Sequence, residues 1–134
     1  MSESAADQGK SLTALYPVIA VEQPVTTAAE FHRLFGLETV FETDWYVHLK
    51  NHNSVLQIGF VQSDHESIPT EHKLNVCGTF VTIDAIDVAV LWEQMKDDLK
   101  IIVPLTDESW GQRHFIAEIS GGVLVDIVQL LPQE

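Results

Sequence analysis

The spacing of apolar positions changes along the chain in an order that occurs twice. From Tyr16 to Val21 the β-branched residues read as a strand, ended by Gln23-Pro24, where proline suits a turn or a first helical position. Ala28, Phe31, Leu34 and Phe35 then fall on one helical face, and Gly36 supplies a left-handed stop. Three extended segments follow, Thr39 to Thr43, Trp45 to Lys50 and Val55 to Val61, separated by Asp44 and by the turn-forming cluster Asn51-His52-Asn53. Ser63 to Leu74 is polar, contains Pro69 and has neither helical nor strand period, so it reads as a connector. The order then repeats. Val76 to Ile83 is a strand, and Val88, Leu91, Trp92, Met95 and Leu99 form a helical stripe. Ile101 to Leu105 is extended, and Arg113 to Ile119 and Val123 to Leu130 flank Gly121-Gly122, a strong hairpin signal.

Each half is therefore β-α-β-β-β, and the fold class is α+β. The halves share element order rather than residue identity. A unit this short buries a common face against its copy, which makes a two-module sheet the economical architecture. The expected boundaries are a disordered tail over 1–14 and a single domain over 15–131, divided into module 1 (15–63), a linker (64–75) and module 2 (76–131). At 134 residues the chain is long enough to bury a core without disulfides or a structural metal.

Composition narrows the partners. Twenty acids against seven bases give a formal net charge of −13, a field that repels nucleic-acid backbones and anionic lipid and favours cationic ligands. The same charge on a solvated surface also simply keeps a protein soluble. The longest apolar runs fall far short of the ~20 residues needed to cross a bilayer. The stretch Met1 to Lys10 lacks the pattern of a secretory signal, so a cytoplasmic location is expected. Cys77 stands alone in an apolar run and reads as a buried, inert thiol, leaving no disulfide or thiolate cluster. There is no glycine-rich phosphate loop and no serine nucleophile elbow.

Ala29-Glu30-Phe31-His32-Arg33-Leu34-Phe35-Gly36-Leu37 is the first of four segments with a recognisable pattern, and it looks like the first-helix segment of the vicinal oxygen chelate (glyoxalase/bleomycin-resistance/extradiol dioxygenase) superfamily. Trp110-Gly111-Gln112-Arg113-His114-Phe115, followed by Gly121-Gly122-Val123-Leu124-Val125-Asp126-Ile127, is similar to its C-terminal ending, with Ile119-Ser120 in place of the usual Asp-Pro. Asp44-Trp45-Tyr46-Val47 and Thr79-Phe80-Val81-Thr82-Ile83-Asp84 match its strand positions. The resemblance covers about residues 15 to 131. It implies two βαβββ modules forming a cup-shaped mixed sheet, and a C2 homodimer. In metal-dependent members a divalent ion is held by residues of the first, fourth, fifth and eighth strands. Carried over, those positions fall on Pro17, Gln57, Gly78 and Asp126. Proline and glycine offer no donor atom, and two oxygen donors rarely hold a transition metal without imidazole help. The resemblance thus implies a member lacking the usual metal ligands.

The candidate ligand-binding residues are Asp126, Gln57, Trp110, His48, His114 and Phe80. Strand alternation places Asp126 on the face of Leu124 and Val128, which should be inside; there it needs either a structural partner such as Arg113 or a ligand's polar group. His48 shares a face with Tyr46 and Lys50, and His114 with Gln112 and Ile116; each lines the cup or occupies a hydrogen-bonded sheet position. Trp110, at a loop-to-strand junction, closes a pocket edge or caps the core. Trp45 and Trp92 are core candidates first. His52, His65 and His72 lie in polar loops without ligand-like spacing, and His32 reads as packing. The leading expectation is metal-free binding or sequestration of a small organic molecule, including a cationic one. The alternatives are a metal-dependent lyase, isomerase or dioxygenase using Gln57, Asp126 and a histidine, and a non-catalytic interaction module.

Overall fold

The structure is a computed structural model that describes residues 10–53, 55–70 and 79–132. The element order is β1 (Val18–Val21), α1 (Pro24–Phe35), β2 (Glu38–Glu42), β3 (Tyr46–Lys50) and β4 (Gln57–Gln62) in module 1. Module 2 follows with β5 (Phe80–Asp84), α2 (Val88–Met95), β6 (Lys100–Asp107), β7 (Gln112–Ile119) and β8 (Val123–Leu130). This is the twofold β-α-β-β-β order expected from the sequence. The strands form two four-stranded sheets, ordered β1-β4-β3-β2 and β5-β8-β7-β6. Within each, the first strand pairs parallel with the fourth and the remaining pairs are antiparallel.

Helix α1 begins with Pro24 at its first turn, where a missing N–H costs nothing. It ends where Gly36 adopts φ 71° and donates its N–H to the His32 carbonyl. Helix α2 stops at Met95, one turn short of the stripe that reached Leu99; Lys96 to Asp98 continue only as turn, and β6 already starts at Lys100. At its start the Val88 N–H donates to Gln129 Oε1 at 2.9 Å, so a β8 side chain satisfies an otherwise orphaned donor. The third extended segment begins at Gln57 rather than Val55, because Asn51 and Asn53 side chains accept the N–H groups of Leu56 and Val55 and hold that stretch as a loop. β1 begins at Val18, after Pro17, and Pro104 lies in edge strand β6 within the register shift between Val103 and Thr106, where proline is tolerated. The expected strand start at Val76, and Cys77, Gly78 and His72, lie outside the described residues, as does most of the expected tail.

Each helix covers one face of its own sheet. The residues at these helix–sheet contacts, Ile19, Phe31, Val47, Leu49, Ile58 and Phe60 from module 1 and Val88, Met95, Phe115, Val125 and Ile127 from module 2, belong to one continuous core. Phe31 meets Phe60 at 4.9 Å between ring centroids, and Trp92 meets Phe115 at 5.2 Å, so Trp92 is a core residue as its helical position suggested. The modules are joined behind α1 by the β7–β8 hairpin. Thr27 donates its hydroxyl to the Ser120 carbonyl at 3.1 Å, and Glu30 accepts both the N–H and the hydroxyl of Ser120. Gly121 and Gly122, at φ 85° and 78°, make the turn. A Cβ on Gly121 would lie 2.9 Å from Val21 and 3.0 Å from the Thr27 hydroxyl, so the glycine is required by space as well as by conformation.

Candidate functional site

The sheet face of module 1 that α1 does not cover forms a groove of ≈ 680 Å³. Alternation along β1 sends Ile19 and Val21 into the core and leaves Tyr16, Val18 and Ala20 to line the groove. Pro17, the first-strand position singled out by the resemblance, is not part of the lining. Phe41 comes from β2, Trp45 from the turn before β3, Tyr46 from β3 and Val61 from β4. The remaining wall is the start of the connector, Ser67, Ile68 and Pro69. That segment is tied down at both ends of its first turns: Ser63 N–H donates to the Val21 carbonyl at 2.9 Å, and His65 stacks on Trp45 with ring centroids 3.7 Å apart and planes 2° from parallel. Trp45 is thus half-buried and serves the groove rather than the core.

Beneath the groove lies a polar chain. His48 is 7 % exposed, with Nδ1 2.8 Å from the Tyr46 hydroxyl and Nε2 2.9 Å from Gln57 Oε1. Tyr16 meets the same imidazole edge-on at 4.3 Å. Tyr46 reaches His48 by folding over Gly59, the cross-strand partner of His48; a Cβ there would fall on the phenol oxygen. Burial, then the neighbouring Tyr16, hold the Tyr46 hydroxyl above its ordinary value of 10.0, so it keeps its proton.

Module 2 repeats the arrangement with different chemistry. His48 pairs with Gly59 and bonds the residue two before it; His114 pairs with Val128 and bonds the residue two before that, Asp126. His114 is 6 % and Asp126 7 % exposed, with Nδ1 2.7 Å from Oδ1. Val128 stands where module 1 has Gly59 and Gln112 where it has Tyr46, so no aromatic ring can fold over this imidazole. Instead Glu108 approaches Nε2 at 3.4 Å. Burial opposes the charge on His114, but the hydrogen bond and charge of Asp126, then those of Glu108, outweigh it and raise its pKa above 6.5.

These placements sort the sequence candidates. Asp126 is buried as expected, but its partner is His114 and not Arg113. Arg113 projects from the opposite face of β7 and forks onto Asp107, with Nε–Oδ1 2.6 Å and Nη2–Oδ2 3.0 Å. His48 and Gln57 form one pair and His114 and Asp126 another, on separate sheets. Phe80 is 51 % exposed at the start of β5. Trp110 is 65 % exposed, its indole N–H donating to Gln112 Oε1 at 2.9 Å, so it neither caps the core nor borders the groove. Tyr16 and Phe41 escaped sequence reasoning. Tyr16 was detectable, since it continues the period of Val18 and Ala20, whereas Phe41 lies in a bulged strand whose alternation is broken between Thr39 and Phe41.

The donor set does not fit a metal of the superfamily type. The β4 and β8 positions, Gln57 and Asp126, are each bonded to a histidine of their own sheet. Among the described residues no three of His, Cys, Asp and Glu are grouped so as to hold an ion.

No family model and no curated protein matches the chain. Solved structures do. A member of the glyoxalase/bleomycin resistance protein/dioxygenase superfamily from Sphaerobacter thermophilus aligns with a TM-score of 0.71 at 15 % identity, over 88 % of this chain and 98 % of its own. TioX from a Micromonospora species aligns at 0.65 and 16 % identity, over 90 % and 100 %. A possible glyoxalase from Bacillus cereus aligns at 0.64 and 12 % identity, over 87 % and 98 %. With the twofold β-α-β-β-β order and the parallel first-to-fourth strand pairing of each half, these likenesses show that the chain has the glyoxalase/bleomycin-resistance/dioxygenase fold.

Proposed function

We propose that the chain binds a small organic molecule in the module 1 groove, without a metal of the superfamily type. The observation that carries this reading is the groove itself. Its ≈ 680 Å³ matches small-molecule sites, and its walls are aromatic and aliphatic with few polar groups. The imidazole beneath it has both ring nitrogens engaged within the protein, so it orients a neighbour rather than coordinating an ion. A net charge of −13 raises the local concentration of cations, which favours a ligand with a positive group. An interaction module with a filled cavity accounts less well for an open, aromatic-walled groove.

The test is protein-observed NMR against bleomycin and a library of neutral and cationic aromatic fragments. Saturable shifts at Tyr16, Trp45 and Tyr46 are expected, stronger for cations at low salt. A library that leaves all three unmoved overturns the reading.

We further propose a C2 homodimer. β1 and β5 lie at the edges of their sheets and start with the exposed side chains Val18 and Phe80, and edges of this kind invite pairing with a second copy. Sedimentation at micromolar concentration should give twice 15.0 kDa; a lone monomer refutes it.

A further inference from the structure

Hydrogen-bond polarity in the groove follows from the two histidines that support it. Gln57 Oε1 can only accept, so at 2.9 Å the Nε2 of His48 must carry the proton and donate it. A neutral imidazole has one proton, so His48 Nδ1 is bare and accepts the Tyr46 O–H at 2.8 Å. The phenol proton is committed inward, and only oxygen lone pairs remain to face the groove. An independent pair behaves the same way in the connector wall. The Ser67 backbone N–H donates to His65 Nδ1 at 3.0 Å, so that nitrogen carries no proton and also accepts the Ser67 hydroxyl at 2.8 Å. Tyr46 and Ser67 both line the groove, one from β3 and one from the connector.

We propose that these two hydroxyls act as hydrogen-bond acceptors, so that the groove selects a ligand carrying an N–H or O–H donor on a flat apolar body. Tyr46 is then the specificity-determining residue, and His48 and Gln57 are positioning residues that fix the direction of its proton. This rests on the groove being the binding site, and it adds the class of group that the site recognises. Discrimination arises because an analogue without the donor leaves the phenol oxygen desolvated and unpaired.

Two measurements test it at about pH 8, above the ordinary histidine range. Long-range proton–nitrogen correlation spectra of the imidazoles should show His48 and His65 protonated on Nε2 with Nδ1 bare. A proton on His48 Nδ1, as a reversed Gln57 amide would impose, overturns the inference whether or not any ligand binds. Titration by protein-observed NMR then compares indole with benzofuran, which is nearly the same shape but has no donor. Indole should bind roughly three- to tenfold tighter to the natural protein, the range of one net hydrogen bond. The preference should vanish in Tyr46→Phe. Equal binding of the two probes at the groove overturns the acceptor inference and leaves the groove reading standing. Failure of both probes to shift groove residues counts against the groove as a site, while the tautomer spectrum still decides the direction of the Tyr46 proton.

Discussion

His114 lies diagonally across β7 and β8 from Asp126, and His48 lies on the same diagonal from Gln57 across β3 and β4; an amide in one half corresponds to a carboxylate in the other. The amide partner fixes a tautomer, whereas the carboxylate partner favours the protonated form of its imidazole.

His114 should therefore titrate above the free-histidine value of 6.5, and Asp126→Asn should lower its midpoint while keeping the Nδ1 hydrogen bond. A raised folded-state pKa contributes stability that is fully present below the unfolded value and is lost as pH rises through the folded one. The stability gap between the natural protein and Asp126→Asn should be largest below about pH 6.5 and should narrow as pH climbs through the raised midpoint. Denaturant midpoints measured across that window check this; a gap that widens with pH contradicts it.

Gly59→Ala should push the Tyr46 ring off His48, because the added methyl occupies the position of the phenol. His48 Nδ1 would then be buried without its donor, at a cost of about 1–3 kcal/mol. Tyr46 should also titrate closer to its ordinary value once it leaves the shelter of the sheet. Chemical denaturation and a tyrosinate absorbance titration read the two effects.

Gly121→Ala should cost about 2–4 kcal/mol, combining a left-handed conformation with contacts that a packed joint cannot relax. Gly122→Ala carries the same conformational strain, but among the described residues only Glu118 comes near its Cβ position, at 3.9 Å, so it should cost less. The difference between the two unfolding free energies isolates the steric contribution of the module joint.

Chelation should leave the unfolding midpoint unchanged, since a ligand stabilises a fold only by binding it. Stoichiometric Zn, Ni, Fe or Mn in the purified protein, lost in Asp126→Ala, would contradict the mismatch between these side chains and an ion.

The repeat was legible in the sequence because apolar period and turn chemistry agree locally, as at Phe31 with Gly36 and at Ile119 with Gly121-Gly122. Burial of Asp126 followed from strand alternation. Its partner did not, because Arg113 and His114 are adjacent in sequence yet point to opposite faces, and only the cross-strand register shows which one meets Asp126. The groove was illegible for a related reason. It draws on β1, β2, β3, β4 and the connector, and sequence periodicity describes one element at a time. Trp110 shows the limit of residue type as a guide, since a large ring in a recognisable segment lies mostly in solvent.

The contacts of Thr27 and Glu30 with Ser120 lie behind α1, on the side of module 1 away from the groove floor. Substitutions that reshape the floor therefore leave the seam between the halves intact. A lineage built on this plan can exchange one ligand for another without renegotiating how its two halves hold together.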